Sequence, residues 1–351
     1  MNTRVYTSRG VRHTAGQDPC IVCCTSAKDS WAWLVEEIDD KPRRWIFCDD
    51  QPRGLFERLM PHPVLATMRA SWRAIQTVQR QQADLLVTGN PSMSFWCAVF
   101  ASLQSVRVNH VAASFYMPKV PHGMRYVLAQ WAYSTIHRFI VHSRAERQFY
   151  GEYFGIPFAR FEMQHRAVLM PQPLPATPLE RSEYICAISQ QDQDYQTLLA
   201  AMAKLPDIPL ILVVPRGRAI AAKIPPNVKL RVGLSPSSIF NILHYSQFMV
   251  LPLRQSTVPC DHASLVTAMH LGKALVVANL PGISDYAFPN SNAVLYKPGS
   301  SASLADAIQD LWSNVIKCEV LGEHGREFAN VFCSKDAIRK WFQQVLIRQG
   351  L

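Results

Sequence analysis

The chain has 351 residues, of which 48% are hydrophobic and 18% charged, a composition that suits two globular domains and excludes a disordered or fibrous protein. Its formal net charge of +10 favours an anionic partner, such as a membrane surface or a phosphorylated substrate, although an ordinary basic surface explains it equally well. No recognised nucleic-acid-binding motif accompanies the charge, and we expect no nucleic-acid partner.

Targeting signals and cysteines indicate the compartment. No apolar run is long enough to span a bilayer, and the basic N-terminus lacks the apolar core of a secretory signal. The nine cysteines lie mostly in apolar runs, which indicates reduced thiols in a cytoplasmic protein rather than a disulfide framework. Cys20, Cys23 and Cys24 are close in sequence, but no second group of ligands accompanies them, and we expect no bound metal.

The first half of the chain alternates predicted strands with predicted helices. Apolar, β-branched runs indicate the strands, and apolar residues at helical spacing indicate the helices between them. The predicted strands cover residues 20–24, 44–48, 84–88, 106–112 and 139–143. Such an alternation predicts a parallel sheet covered by helices.

One predicted helix of the first half combines basic and aromatic residues. Its basic residues are Arg69, Arg73 and Arg80, and Trp72 belongs to its apolar face, so the helix could contact an anionic membrane. A Trp72 that points into the core is the alternative. The predicted apolar face consists of Val64, Leu65, Met68, Trp72, Ile75 and Val78.

A proline-rich stretch divides the chain near its middle. Neither a helix nor a central strand accommodates four prolines in eight positions, and Pro171, Pro173, Pro175 and Pro178 therefore predict a stiff linker. We predict a first domain at residues 1–170, the linker at 171–183, a second domain at 184–335 and a C-terminal helix at 336–351.

The second half repeats the alternation. Gly272 follows a predicted helix at the position of a C-cap. Two such series predict an α/β protein with two parallel sheets, whose ligands lie beyond the carboxyl ends of the strands. The predicted strands cover 184–188, 210–214, 228–232, 250–253 and 274–278, and the predicted helices 194–205, 239–245 and 264–271.

Residues 250–298 resemble the donor-binding half of GT-B glycosyltransferases of the family-4-like type, glycosyl transferases group 1. Weaker similarity covers 141–157 and 189–198. The resemblance implies two Rossmann-like domains that face each other across a cleft, with the C-terminal helix crossing back to the first domain. The shared anchors are Thr267-Ala268-Met269, Gly272-Lys273, Val276-Val277, Pro281-Gly282, Asp285-Tyr286 and Asn292.

The resemblance also implies an activity. A protein of this type moves a sugar from a nucleotide-sugar donor to an acceptor, here a glycan, a lipid-linked glycan or a polysaccharide precursor. The donor is a substrate, and no further cofactor is expected. The protein would be cytoplasmic and could be peripheral at the inner face of the membrane. A non-catalytic GT-B-like binding or partner protein, and a GT-B-fold sugar-nucleotide epimerase, are the alternatives.

The predicted donor site centres on the helix that begins near Ser264. Backbone N–H groups at a helix N-terminus bind anions, and nearby arginines add positive charge. Asp261 is also a candidate catalytic residue, although helix capping by Asp261 or Ser264 would need no ligand. The predicted donor contacts are Arg216, Gly233, Arg254, His262, Ala263, Ser264 and Thr267.

The sequence departs from the family pattern within this site. The two glutamates that the family usually carries correspond to Pro259 and Thr267, so Thr267 could offer the donor ribose only a hydroxyl. The family's phosphate-binding Arg and Lys fall near Gln190 and Gln193. Arg216 could compensate for the lost cations, whereas the replaced carboxylates favour the non-catalytic alternative.

His110 is the second candidate catalytic residue. It is predicted to end a strand of the first half, facing the cleft, where an imidazole can act as a base or bind a sugar hydroxyl. A structural histidine is the more common alternative.

Overall fold

The computed structural model describes residues 4–7, 18–26, 34–35, 38, 42–52, 64–188, 193–217, 220, 222–254 and 261–351. The chain divides into two compact units. Unit 1 comprises Met1–Gln164 and Arg339–Leu351, and unit 2 comprises His165–Ile338. No helix in these described ranges is long and apolar enough to cross a membrane.

Unit 1 is built on a seven-stranded sheet with the strand order β1-β3-β2-β4-β5-β6-β7. β1 pairs antiparallel with β3, and the other neighbouring strands are parallel. The strands are β1 (Arg4–Thr7), β2 (Cys20–Thr25), β3 (Arg44–Asp49), β4 (Leu85–Thr88), β5 (Asn109–Ala112), β6 (Arg138–Val141) and β7 (Phe161–Met163).

In the described ranges, four helices with complete bounds connect strands of unit 1. Since parallel crossovers are right-handed and the strand order runs in one direction from β3 to β7, all four helices cover the same face of the sheet. They are α1 (Val64–Gln81), α2 (Pro91–Leu103), α3 (Met124–Ser134) and α4 (Arg144–Phe154).

Local sequence signals fix the ends of these helices. Asn90 accepts a hydrogen bond from Met93 N at the start of α2, and Ser143 accepts one from Glu146 N at the start of α4. The Glu146 carboxylate in turn accepts from His142 N at 2.6 Å. Gly155 ends α4 with φ 65°, a left-handed conformation that favours glycine.

The predicted apolar face of α1 is partly wrong. Val64, Leu65 and Trp72 are 47%, 39% and 44% exposed, and Trp72 packs edge-on against Phe100 of α2. Small side chains allow a helix to approach its neighbours closely. The face of α1 that is buried therefore carries mainly small residues, and the larger apolar residues lie outside it. The buried residues are Ala66, Thr67, Ala70, Ser71, Ala74, Ile75 and Val78.

Unit 2 is built on a six-stranded, wholly parallel sheet with the order β10-β9-β8-β11-β12-β13. Every strand and helix predicted in the second half is present. The strands are β8 (Ile185–Ile188), β9 (Leu210–Val214), β10 (Val228–Val232), β11 (Phe248–Leu251), β12 (Ala274–Ala278) and β13 (Val294–Tyr296). The helices are α5 (Tyr195–Met202), α6 (Pro236–Tyr245), α7 (His262–His270), α8 (Ser301–Ser313) and α9 (Val315–Phe332).

Two glycines bring α9 against the turn after α7. Gly272 has φ 65°, as its predicted C-cap position requires. A Cβ atom on Gly322 of α9 would lie only 2.1 Å from the carbonyl oxygen of Gly272. The absence of a side chain at Gly322 therefore permits this contact.

The last helix, α10 (Lys335–Arg348), begins in unit 2, and its residues from Arg339 onward group with unit 1. Its Phe342 ring lies 5.8 Å from the Trp45 ring, measured between centroids. Glu162 accepts hydrogen bonds from Trp341 Nε1 at 3.2 Å and from Arg348 at 2.7 Å. These contacts anchor the C-terminal residues in unit 1.

The proline-rich residues 171–183 lie along unit 2. Asn241 of α6 binds the backbone of Thr177 and Leu179, and Tyr245 Oη donates to Pro175 O at 2.8 Å. Glu180 forms ion pairs with two basic residues of β10, Lys229 and Arg231. The linker role of this segment stays a prediction, which limited proteolysis would test.

Candidate functional site

The carboxyl edge of the unit 2 sheet brings together most of the predicted donor contacts. Because all six strands are parallel, the residues that follow them meet at one edge. Arg216 follows β9, Gly233 follows β10, Arg254 follows β11, and α7 begins at the same edge. Gln190 and Pro259 lie outside the described residues.

A cavity of about 420 Å³ opens at this edge. Its walls are mainly apolar, and the predicted contacts Arg216 and Gly233 both line it. The other lining residues are Ile188, Val213, Val214, Pro215, Leu234 and Ile239. Apolar walls with a few polar groups are typical of small-molecule sites.

Arg216 and Gly233 are in direct contact. Gly233 has φ 62° and donates its N–H to Val214 O at 2.9 Å. A Cβ atom at this position would lie 2.2 Å from Arg216 Cγ. The bare glycine thus allows the exposed Arg216 side chain to cross the backbone after β10. Within the part of the chain that the structure describes, Arg216 forms no ion pair.

At the N-terminus of α7, Asp261 caps the helix. Its carboxylate accepts from Ser264 N at 3.2 Å and from Ser264 Oγ at 2.8 Å. The capping alternative is therefore present in the structure. Ala263 is exposed, and its N–H has no acceptor among the described residues. Thr267 Oγ1 donates to Ala263 O at 2.7 Å, which leaves its lone pairs to accept from a ligand.

His262 is engaged in the packing of this edge. Its imidazole is buried, Nε2 donates to Gly282 O at 2.7 Å, and the ring stacks on Tyr286 at 4.6 Å. Burial lowers the pKa of His262 to about 4, so the ring is neutral at pH 7. At pH 7 the His262 side chain therefore brings no positive charge to a bound nucleotide-sugar.

Arg254 lies beside one of the positions where the family pattern is broken. Arg254 Nε donates to Gln193 O at 3.1 Å. The Gln193 side chain is fully buried, and neither its oxygen nor its nitrogen has a hydrogen-bond partner in the described ranges. A buried amide without partners is uncommon in proteins. In the sequence, Gln193 stands only for a cation of the family that is lost; its burial, which makes it a candidate polar contact, is not evident from a polar loop.

The prediction that His110 ends its strand is wrong. His110 is the second residue of the four-residue β5, and Val111 and Ala112 follow it before the strand ends. The imidazole is 4% exposed, and Nε2 lies 3.0 Å from Thr88 Oγ1. Burial and the nearby His137 lower the pKa of His110 to about 3. These contacts are those of a structural histidine, and the catalytic role stays a prediction.

Replacing His110 by glutamine should lower stability and leave donor binding unchanged. The buried Thr88 hydroxyl would lose its imidazole partner but keep its hydrogen bond with Ser94 Oγ at 2.7 Å, and the loss of one such bond typically costs about 0.5–1.5 kcal/mol. The measurement combines thermal unfolding with turnover per folded molecule. A large loss of turnover in a variant that is folded and still binds donor would instead support the catalytic role.

Stability should fall as the pH drops from about 6.5 toward 4. His110 and His262 stay neutral in the folded protein, whereas the unfolded chain takes up protons near the ordinary histidine pKa of 6.5. Their contribution is therefore complete above about pH 6.5 and declines by up to ~1.4 kcal/mol per pH unit for each histidine. Urea unfolding between about pH 7 and 5 measures the slope. His262→Gln should make it shallower, and an unchanged slope would contradict this assignment.

Known proteins resemble this chain in the sequence of unit 2 and in the fold of the whole chain. Residues 184–314 match the family model for glycosyl transferases group 1. No curated protein sequence matches the chain. The sucrose-phosphate synthase of Thermosynechococcus elongatus is a similar solved structure, with TM-score 0.65 and 14% identity over 95% of this chain and 99% of that one.

Two further structures are similar and hold nucleotides. The Anabaena protein HepE in complex with UDP has TM-score 0.65 and 14% identity, covering 94% of this chain and 100% of that one. The catalytic domain of starch synthase IV from Arabidopsis thaliana, bound to ADP and acarbose, has TM-score 0.63 and 9% identity, covering 95% and 99%. Residues 184–314 therefore match glycosyl transferases group 1 in sequence. The chain has the α/β fold of GT-B glycosyltransferases, as the sequence predicted.

Proposed function

We propose that the protein is a glycosyltransferase that binds a nucleotide-sugar at the carboxyl edge of the unit 2 sheet. The observation that carries this proposal is the convergence of the cavity, Arg216 and the α7 N-terminus at that edge, inside the segment that matches the family model. HepE structures with UDP and with UDP-glucose make a UDP-sugar the first donor to test. The acceptor we propose is a glycan, a lipid-linked glycan or a polysaccharide precursor.

The chemistry requires stabilisation of a leaving nucleoside diphosphate. An acceptor hydroxyl oxygen bonds to the anomeric carbon as the bond from that carbon to the diphosphate breaks, and the hydroxyl proton passes to a base or to water. The developing charge on the diphosphate would be met by Arg216, Arg254 and the first N–H groups of α7. The apolar walls of the cavity suit the base of the nucleotide.

Binding of nucleotide-sugars tests this proposal directly. Thermal unfolding would be followed with UDP-, GDP- and dTDP-sugars, because a ligand at a hundred times its Kd stabilises the folded state by about 2.7 kcal/mol. We expect a rise in the unfolding midpoint with at least one donor, followed by transfer to an acceptor in a radiolabel assay. If no donor binds, the transferase proposal fails.

A non-catalytic binding or partner protein is the second candidate. It is favoured by neutral residues at positions where the family carries charge, among them Gln193 and Thr267. A sugar-nucleotide epimerase is the third. Product analysis separates the three, since a transferase releases nucleoside diphosphate, an epimerase returns a different nucleotide-sugar, and a binding protein leaves the donor unchanged.

We also propose a peripheral location at the inner face of a membrane. Trp72 on α1 is 44% exposed, so it is available to a lipid surface together with the exposed Arg80. Arg69 and Arg73 are half-buried, and Arg69 donates to Gln51 O at 2.5 Å. Vesicle flotation at low and high salt tests the location, because an electrostatic contact weakens as salt rises.

A further inference from the structure

Helix α3 presents large apolar side chains to solvent. Met124, Val127, Leu128 and Trp131, which we call the α3 ridge, are 76%, 53%, 51% and 46% exposed. They recur at the i, i+3, i+4 and i+7 positions that form one side of a helix. The buried face of α3 consists of Ala129, Ala132 and Tyr133. The ridge is therefore an outward apolar strip on the surface of unit 1.

The stretch of sequence that contains the ridge carries no negative charge. Residues 85–145 contain no Asp or Glu but contain five Lys or Arg, of which Lys119 and Arg125 are exposed close to the ridge in sequence. The acidic residues on either side of this stretch already accept hydrogen bonds within the protein, Asp84 from Cys20 N and Glu146 from His142 N. An apolar strip within a purely basic stretch is complementary to an anionic, partly apolar surface.

The start of α3 adds to this complementarity. Its N-cap residue is Gly123, with φ 57°, and no side chain caps the helix. The first-turn N–H groups thus have no side-chain anion, and the positive end of the helix dipole suits a phosphate. Tyr153 Oη fixes the preceding loop by donating to Pro121 O at 2.6 Å.

We propose that α3 is the membrane-docking helix of the protein, with the α3 ridge inserted among acyl chains and Lys119 and Arg125 at the phosphates of anionic lipids. The proposal refines the membrane part of the proposed function, and it does not require sugar transfer. It moves the main apolar contact from α1, where Val64, Leu65 and Trp72 are exposed, to α3, where four exposed apolar side chains lie along one side of the helix.

The size of the ridge favours lipid over a second copy of the chain. An eleven-residue helix is about 16 Å long and about 10 Å wide, which gives a footprint of roughly 160 Å². A stable protein–protein interface needs about 800 Å² on each partner. A shallow amphipathic contact with a bilayer needs only such a strip, together with basic residues.

The experiment is flotation of the full chain with vesicles of phosphatidylcholine alone and of phosphatidylcholine with one-third phosphatidylglycerol, without donor or acceptor. We expect binding to the anionic vesicles only, weakened by salt. Leu128→Glu should lower the partition coefficient at least about tenfold, because it removes an inserted apolar group and adds a repelled charge. The matched control is Ile316→Glu, the same kind of change at a 74% exposed apolar residue of unit 2, which should stay within about twofold of wild type.

A second readout does not depend on the variant that carries the new charge. Emission from Trp131, obtained as the difference between wild type and Trp131→Phe, should shift to shorter wavelength with anionic vesicles and be quenched by brominated lipid. Equal flotation of wild type and Leu128→Glu, or no change in Trp131 emission, would overturn the proposal. The proposal would also be overturned if the protein formed a dimer without vesicles and Leu128→Glu dissociated that dimer, because the ridge would then bind a second copy of the chain. Donor-binding assays remain valid in each case, so this failure is distinct from failure of the transferase proposal.

Discussion

Replacing Arg216 by alanine should weaken nucleotide-sugar binding by about ten- to a hundredfold. Arg216 is exposed at the rim of the apolar cavity, and a charge-assisted hydrogen bond to a diphosphate contributes roughly 1.5–3 kcal/mol. Arg254→Ala should have an effect of similar size, because Gln193 beside it supplies no charge. Isothermal titration calorimetry with the donor that gives the largest thermal shift provides the measurement.

Two further variants sharpen this result. Gly233→Ala keeps the charge but displaces Arg216, since the new Cβ would lie 2.2 Å from Arg216 Cγ and the backbone has φ 62°. It should therefore weaken binding although no ligand group is removed. Arg326→Ala is the control, because Arg326 is an exposed arginine of unit 2 that pairs with Glu323 on α9. Binding by Arg216→Ala as tight as by wild type would exclude Arg216 from the donor site.

Replacing Gly322 by alanine should destabilise unit 2 by about 2–3 kcal/mol. The added methyl group would meet Gly272 O at 2.1 Å, so α9 or the turn after α7 must move, and overpacking of this kind costs roughly 1–3 kcal/mol. The expected fall in the unfolding midpoint is about 4–12 °C. Because α7 ends at this turn, donor affinity should fall as well if α7 moves.

Gly325→Ala is the matched control in the same helix. A Cβ atom there would meet Met269 Cγ at 3.5 Å, an ordinary van der Waals contact. Alanine is favoured over glycine inside a helix by about 0.8–1 kcal/mol, so this variant should be as stable as wild type or more so. Equal destabilisation of the two variants would show that loss of glycine as such, rather than the contact with Gly272, is responsible.

The elements of the fold were predictable because their signals are local. Gly272 occupies the left-handed position that its place after a periodic segment indicated, and Asp261 and Asp194 each cap the helix that follows them. A turn or a cap depends on a few neighbouring residues, which a sequence displays directly. Apolar β-branched runs likewise locate the strands of a buried parallel sheet.

The site was less predictable because its contacts join distant residues. Arg216 follows β9 and contacts Gly233, which follows the neighbouring strand β10. Periodicity in the sequence does not predict such a contact. His110 was misplaced because β5 continues through Val111 and Ala112, and its contact with Thr88 joins residues far apart in the sequence. On α1, helical periodicity alone does not distinguish a face of large apolar residues from a face of small ones. Close packing in the structure buries the face of small residues.

The ion pairs of Glu180 have a consequence for solubility. β10 is the last strand of its sheet, and an uncovered last strand offers its backbone to a strand from another molecule. Glu180 pairs with Lys229 and Arg231 on β10, and these partners hold the pKa of the Glu180 carboxyl below its usual value. As the pH falls through that lowered pKa, the carboxyl is neutralised while both cations keep their charge. Acid would thus break the ion pairs of Glu180 but leave two positive charges on β10, and these like charges oppose the pairing of this strand with the same strand of another copy.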